Sequence, residues 1–202
     1  MKFSPISFDP QKTCGMPHVL KVAFPLIMAS AGHALNLFCD RMMLGRYSAE
    51  AVAAAMPSGL TSFTISCIFL GTVGYVNSFV AQYTGAGEQK RVGLSIWQGV
   101  FLALFGGLFM ATGWFWGGWL MTQFGHAEAV LQQEIVYFKL LSIFAWIPLL
   151  IAAFSSFWSG RGLTMTIMIV NFIMVFSNIP FNYAFIYGNW GAPELGIRGA
   201  AY

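Results

Sequence analysis

Charge is what this sequence lacks most. Asp, Glu, Lys and Arg make up 8% of its 202 residues, where a water-soluble domain carries about 25%. With 57% hydrophobic residues and a mean hydropathy of +0.68, there is too little polar surface for a globule in water, and the composition points to an integral membrane protein. Cysteine is scarce as well. Cys14, Cys39 and Cys67 have neither metal-ligand spacing nor the pattern of a disulfide framework, and they read as free thiols packing as small hydrophobes. No Lys/Arg-rich run is present to hold a nucleic acid, although the net charge is +3. No apolar run precedes Pro17, so a cleaved signal peptide is not expected. No catalytic triad and no His-Glu-x-x-His occurs, and His18, His33 and His126 fall in different surroundings. Gly85-Ala86-Gly87 lacks the Lys-Ser/Thr of a phosphate loop and reads as a turn.

What the sequence has in abundance is long apolar runs. Five stand out, near 17–43, 54–82, 94–120, 136–158 and 163–187. Each exceeds the roughly 20 residues a helix needs to cross the hydrocarbon core. Barrel strands would be about ten residues long and would alternate. Since every backbone polar group must be satisfied inside lipid, the runs predict five transmembrane helices. Gly45 to Glu50, Gly85 to Arg91, Gln123 to Glu134 and Ser159 to Gly162 read as the turns between them. The last of these is short enough to make spans four and five an antiparallel hairpin. Gly188 to Gly199 follows span five, and Gly199 to Tyr202 resembles the entry to a sixth. Basic residues set orientation. With the N-terminus inside, Lys2, Lys12, Lys21, Lys90, Arg91 and Arg161 are cytoplasmic, against Arg41, Arg46, Lys139 and Arg198 outside. Trp114, Trp116 and Trp119 cluster at one end of span three, as an interfacial belt does.

Within these runs, Asp40 is the only acid that hydropathy places inside or at the end of a span. Asp9, Glu50, Glu88, Glu128, Glu134 and Glu194 read as tail or loop. A carboxylate in such a setting is costly unless it is paired, hydrated or protonated. His33, Asn36 and Asp40 follow helical spacing and share a face. Asn171, Asn178 and Asn182 do the same on span five. If both odd-numbered spans run outward, Asp40, Asn178 and Asn182 all fall in the outer half at about 1.5 Å per residue. Carboxylate and carbonyl oxygens suit Na⁺, and a carboxyl group buried among apolar atoms also suits a proton carrier. Asp40 paired with Arg41 or Arg46 at the interface, asparagines that only bond helices together, and a packing role for His33 and Asn171 stand as alternatives. Pro25, Pro57, Pro148 and Pro180 are candidate hinges or tolerated membrane prolines. Pro180, between the two asparagines, would free a carbonyl near the polar face.

Three segments in order resemble the N-terminal lobe of the multidrug and toxic compound extrusion (MATE) transporters: Phe38-Cys39-Asp40-Arg41-Met42-Met43-Leu44-Gly45-Arg46, then Val80-Ala81-Gln82-Tyr83-Thr84-Gly85-Ala86-Gly87, then Ser177-Asn178-Ile179-Pro180-Phe181-Asn182-Tyr183 running through Gly188 to Ala201. The last is the most specific. The resemblance spans about Pro17 to Tyr202. It implies an exporter of twelve helices in two six-helix lobes, exchanging small organic, mainly cationic, drugs for Na⁺ or H⁺. On it, Asp40, Asn178 and Asn182 match the lobe's cation site, and Asn36 sits one turn before the aspartate. Some relatives carry an aspartate at the position of Asn182 and a tyrosine at that of Asn36. His33 and Asn171 are secondary candidates.

The expectation is therefore an all-α membrane protein with five full transmembrane helices and the start of a sixth. Residues 1–16 would be a cytoplasmic tail and 17–202 one lobe of a two-lobe transporter, with the C-terminal lobe absent. It would need no cofactor beyond the coupling ion and no metal beyond a Na⁺ at that site. It would sit in the plasma membrane (a bacterial inner membrane) with its N-terminus in the cytoplasm. A lipid-linked saccharide flippase would need cationic residues to meet a phosphate, and the spans hold almost none. A membrane enzyme would need a catalytic set on facing helices, and His33 and Asp40 share one helix. A non-transporting scaffold is the remaining alternative.

Overall fold

The computed structural model describes residues 16–191 and 193–200; the expected cytoplasmic tail, with Lys2 and Lys12, and the entry to a sixth span at Ala201 and Tyr202 lie outside the described residues. Within them the chain is helical, with no strand. The helices are α1 (Met16–Tyr47), α2 (Ala49–Gly74), α3 (Val76–Gly85), α4 (Gln89–Ala111), α5 (Gly113–Thr122), α6 (Glu128–Phe144), α7 (Trp146–Ser159) and α8 (Thr164–Tyr187), followed by a 3₁₀ turn at Gly196–Arg198. Five helical segments are long and apolar enough to span a membrane: Val19–Tyr47, Ala49–Gly85, Gln89–Ala111, Glu128–Ser159 and Thr164–Tyr187.

Three of the rods are bent at single residues. Tyr75, Thr112 and Ala145 keep right-handed helical dihedrals, so the chain changes direction without unwinding. Ala145 lies three residues before Pro148, which cannot donate a backbone N–H. Pro25, Pro57 and Pro180 stay inside continuous helices. Of the four candidate hinges, only Pro148 is therefore beside a break.

Two turns differ from the expectation. Gly45 to Glu50 is not a loop: α1 runs on through Tyr47, and Ser48 alone separates it from α2. Ser48 is extended (φ −160°, ψ 147°), its hydroxyl oxygen accepts from the Ala51 N–H at 3.0 Å, and Glu50 sits in the first turn. Side-chain capping lets a new helix start after one residue. Likewise Gln123 to Glu134 closes early, because α6 begins at Glu128. Glu134 is thus two turns inside a helix rather than in a connection.

Small residues let the helices approach. A methyl group at Gly107 would lie 2.3 Å from Trp146 Cβ, and one at Gly117 would lie 2.4 Å from Phe138. Such contacts are how helices associate where lipid supplies no hydrophobic drive. Ser58, Ser62 and Ser66, four apart on α2, are buried; Ser58 and Ser66 turn towards Met121 and Met110. Trp114, Trp116 and Trp119 lie on α5, and Trp114 stacks under the Lys139 ammonium.

α8 follows the short turn after α7 but packs chiefly along α1 instead of along its hairpin partner. Gly32 faces Val175, Asp40 meets Asn182, and the Tyr187 hydroxyl donates to the Met43 carbonyl at 2.8 Å. The contacts advance together along both helices, so the seam is parallel. Past α8 the chain folds back: the Leu195 N–H bonds the Phe185 carbonyl, and Ile197 joins Leu44, Ala51, Tyr137 and Ile186 in one apolar cluster.

Candidate cation site

The α1–α8 seam is apolar except at one level. There Asn182, 3% exposed, donates one N–H to Asp40 Oδ1 at 2.5 Å and the other to Asn178 Oδ1 at 2.7 Å. Asn178 and Asn182 meet because residues four apart lie one above the other on a helix. Asp40 is brought to them by the parallel register of α1. With both of its N–H groups spent, Asn182 is fixed in rotamer and presents its remaining oxygen. A hydrogen bond to an ionised group is worth about 1.5–3 kcal/mol, so this cluster also clamps the two helices.

Asn36, one turn before Asp40, has a buried Oδ1 with no hydrogen-bond partner. An unmet buried acceptor costs about 1–3 kcal/mol. Next to a carboxylate that forms no ion pair, it marks a place short of positive charge. Among the described residues the ion pairs are Arg91 with Glu88 and His126 with Glu134. Asp40 is paired with neither Arg41 nor Arg46. Pro180 gives no N–H to the preceding turn of α8, but it lies two residues from each asparagine and so on the other side of the helix, where the freed carbonyl does not face the cluster. No set of three or more His, Cys, Asp or Glu able to hold a metal occurs among the described residues. The oxygen donors here are amides and one carboxylate, the hard set that suits Na⁺ or a proton rather than a transition metal.

The other two candidates lie elsewhere. His33 is exposed and lines a cavity between α1, α2 and α6. Asn171, nearly three turns before Asn182 on α8, lines a separate small cavity beside Trp158 of α7. Neither enters the hydrogen-bonded cluster. A cavity of about 610 Å³ lies at the end of the seam, lined by Phe38, Cys39, Met43, Arg46, Tyr183 and Tyr187 and by none of the cluster residues. Its aromatic and thioether walls suit a flat organic molecule.

Two groups that sequence reasoning assigned to loops or to the interface sit inside the bundle. Glu134 is fully buried. Its Oε1 lies 2.6 Å from His126 Nδ1, while Oε2 has no hydrogen-bond partner. Asp40 is thus not the only acid inside a span. Glu134, Tyr137, Phe138 and Leu141 fall at three- and four-residue spacing, a helical signal that starts before the purely apolar run. Arg41, one residue past Asp40, points the other way. Its guanidinium approaches Gly59 of α2 beside the Tyr137 ring, and its Nη1 is buried without a partner.

The chain matches the family model described as MatE over residues 25–184. It is 32% identical over 182 residues to the multidrug resistance protein NorM of Vibrio cholerae, covering 89% of this chain and 39% of that protein. It is 35% identical over 187 residues to the NorM of Vibrio parahaemolyticus, covering 88% and 39%. The probable NorM of Thermotoga maritima is 29% identical, covering 91% and 40%. Among solved structures, the outward-facing conformation of a multidrug resistance MATE family transporter of the MOP superfamily superposes with a TM-score of 0.82 at 19% identity, over 91% of this chain and 40% of that one. A MATE crystal structure in complex with Br-NRF gives 0.76 at 20% identity, over 91% and 41%. The chain spans about two-fifths of the length of these relatives.

Proposed function

The chain belongs to the MatE family, and we propose that residues 17–202 form the N-terminal lobe of a cation-coupled multidrug efflux antiporter. The fold is that of a multi-pass membrane transporter lobe, not an enzyme. The observation that carries the proposal is the Asp40–Asn182–Asn178 cluster with the unmet Asn36 oxygen beside it. In the proposed cycle, Na⁺ or H⁺ enters from outside and neutralises Asp40. The amides of Asn178, Asn182 and Asn36 supply oxygens to an ion, or hydrogen-bond partners to a protonated carboxyl. An ion shifts the transporter between its outward- and inward-open states only through its different affinity for the two. Loading Asp40 would therefore favour the state in which the α1–α8 seam is rearranged and the cavity at its end releases an organic, mainly cationic, drug.

Alternating access needs two halves moving against each other, so a second, C-terminal lobe is part of the proposal. The bias of basic residues supports a cytoplasmic N-terminus, and the bacterial relatives support a plasma-membrane location. A lipid-linked saccharide flippase or an inert scaffold is less favoured, because the similar proteins carry the name of multidrug resistance proteins.

The test is Asp40→Asn in the two-lobe transporter reconstituted in vesicles. Efflux driven by a Na⁺ or proton gradient should fall to background while the variant still inserts at normal levels. Unchanged ion-driven efflux would sink the proposal. Imposing each gradient separately on the parent protein distinguishes the two ions.

A further inference from the structure

A second cavity, of about 1100 Å³, opens between α1, α2 and α6. Its polar lining is one-sided. Arg41, His33, His126 and Tyr137 contribute, and no Asp or Glu lines it. The rest is apolar, with Met56, Leu60 and Phe63 forming a wall on α2. Arg41 is the permanent charge, since a guanidinium does not lose its proton in a protein. Its Nη1 is enclosed by protein yet donates to nothing, and no carboxylate pairs with it among the described residues. The neighbouring acids are engaged elsewhere. Asp40 accepts from Asn182 on α8 and acts on Arg41 only through space, without an ion pair, and the Glu134 Oε1 lies against His126. A fixed cation whose buried N–H is unmet, opening on a large apolar cavity, lacks a partner that brings both a negative charge and an apolar body.

We propose that the Arg41 cavity binds an amphipathic organic anion, with a carboxylate or phosphate on the Arg41 guanidinium and an apolar body against the α2 wall. Arg41 supplies the fork that carboxylate and phosphate oxygens match. His33 and His126 flank it, and the Tyr137 ring closes the cavity towards the apolar cluster. None of Asp40, Asn178 and Asn182 lines this cavity, which His33, Leu37 and Arg41 border along the stripe of α1 beside Asp40. The inference does not rest on ion coupling, and its test reads binding instead of efflux.

The probe is benzophenone-4-carboxylate, photolysed with the 202-residue chain in phosphatidylcholine nanodiscs, with labelled peptides mapped. Labels are expected on α1, α2 and α6 around the cavity, and excess octanoate should remove them where octylammonium does not. Arg41→Gln should lower labelling by about tenfold, the scale of one charge-assisted hydrogen bond, and Arg41→Lys should retain most of it. Leu60→Trp, at an exposed position on the wall, should block labelling by filling the space while leaving Arg41 in place. Exchanging the lipid for phosphatidylglycerol identifies the source. Loss of labelling makes the natural anion a lipid headgroup, persistence makes it a soluble anion, and either supports anion binding at Arg41. The proposal is overturned if an ammonium-bearing benzophenone labels the same peptides equally, or if Arg41→Gln and Leu60→Trp both leave labelling unchanged.

Discussion

Two carboxylates in this lobe, Asp40 half-buried and Glu134 fully buried, are held by different means. Asp40 sits at a helix–helix seam, accepting from the Asn182 amide, with no opposite charge paired to it among the described residues. Glu134 lies two turns into α6 against an imidazole that is itself 41% exposed. Amide donors lower the cost of burying a charge but do not cancel it, so Asp40 retains a demand for a cation or a proton. Glu134 has an imidazole 2.6 Å from its Oε1, a partner that the protein itself supplies. The lesson is that burial alone does not single out a coupling group. What matters is whether the protein has already supplied the partner.

Four substitutions test that distinction. Asp40→Asn should have the largest effect. Removing one side of a buried charge contact costs about 3–5 kcal/mol, so ion affinity should fall by more than about a hundredfold, read as loss of gradient-driven efflux in vesicles. Asn182→Leu should come next. It removes both hydrogen bonds that join Asp40 to Asn178, and it should weaken ion affinity and thermal stability by about 1.5–3 kcal/mol. Pairing it with Asp40→Asn in a double-mutant cycle should give clearly non-additive losses. Glu134→Leu should be nearly silent by comparison. The imidazole it strands is 41% exposed and can turn to water, so a thermal melt should shift by no more than about 1 kcal/mol, with ion-dependent efflux intact. If Glu134→Leu abolished coupling as Asp40→Asn does, the contrast between the two carboxylates would be wrong. The smallest effect belongs to His126→Gln, which keeps a side-chain N–H to donate to the buried Glu134 carboxylate, so the same melt should shift by only about 0.5 kcal/mol.

Much of this arrangement was legible in the sequence. Asn36 with Asp40 and Asn178 with Asn182 are each one helical turn apart, and local spacing puts such pairs on one face whatever surrounds them. That the two faces meet depends on the register of α8 against α1, which comparable depth anticipated and the parallel seam provides. Glu134 is hidden in the sequence because Gln132, Gln133 and Glu134 together look like a connection, although they form the second turn of α6, which begins at Glu128. Gly45-Arg46-Tyr47 looked like a turn for a similar reason, and only the cap at Ser48 reveals how late the break comes. His33 shares spacing with Asp40 but faces the other cavity. Spacing gives the angle between two side chains, not which neighbour fills the space in front of them. The direction of Arg41 likewise depended on where α2 and α6 lie, which no local pattern encodes.

The joint at Ser48 has a mechanical consequence. Consecutive Cα atoms are about 3.8 Å apart, so a one-residue joint has no slack. The far end of α1 and the near end of α2 are arms of a crank, pinned where Gly196 leaves no room for a side chain beside the Tyr47 ring. In the proposed cycle, a tilt of α1 on loading Asp40 would swing α2, and with it the Met56, Leu60 and Phe63 wall of the second cavity. The two faces of α1 would thereby be geared to each other through a pivot that touches neither.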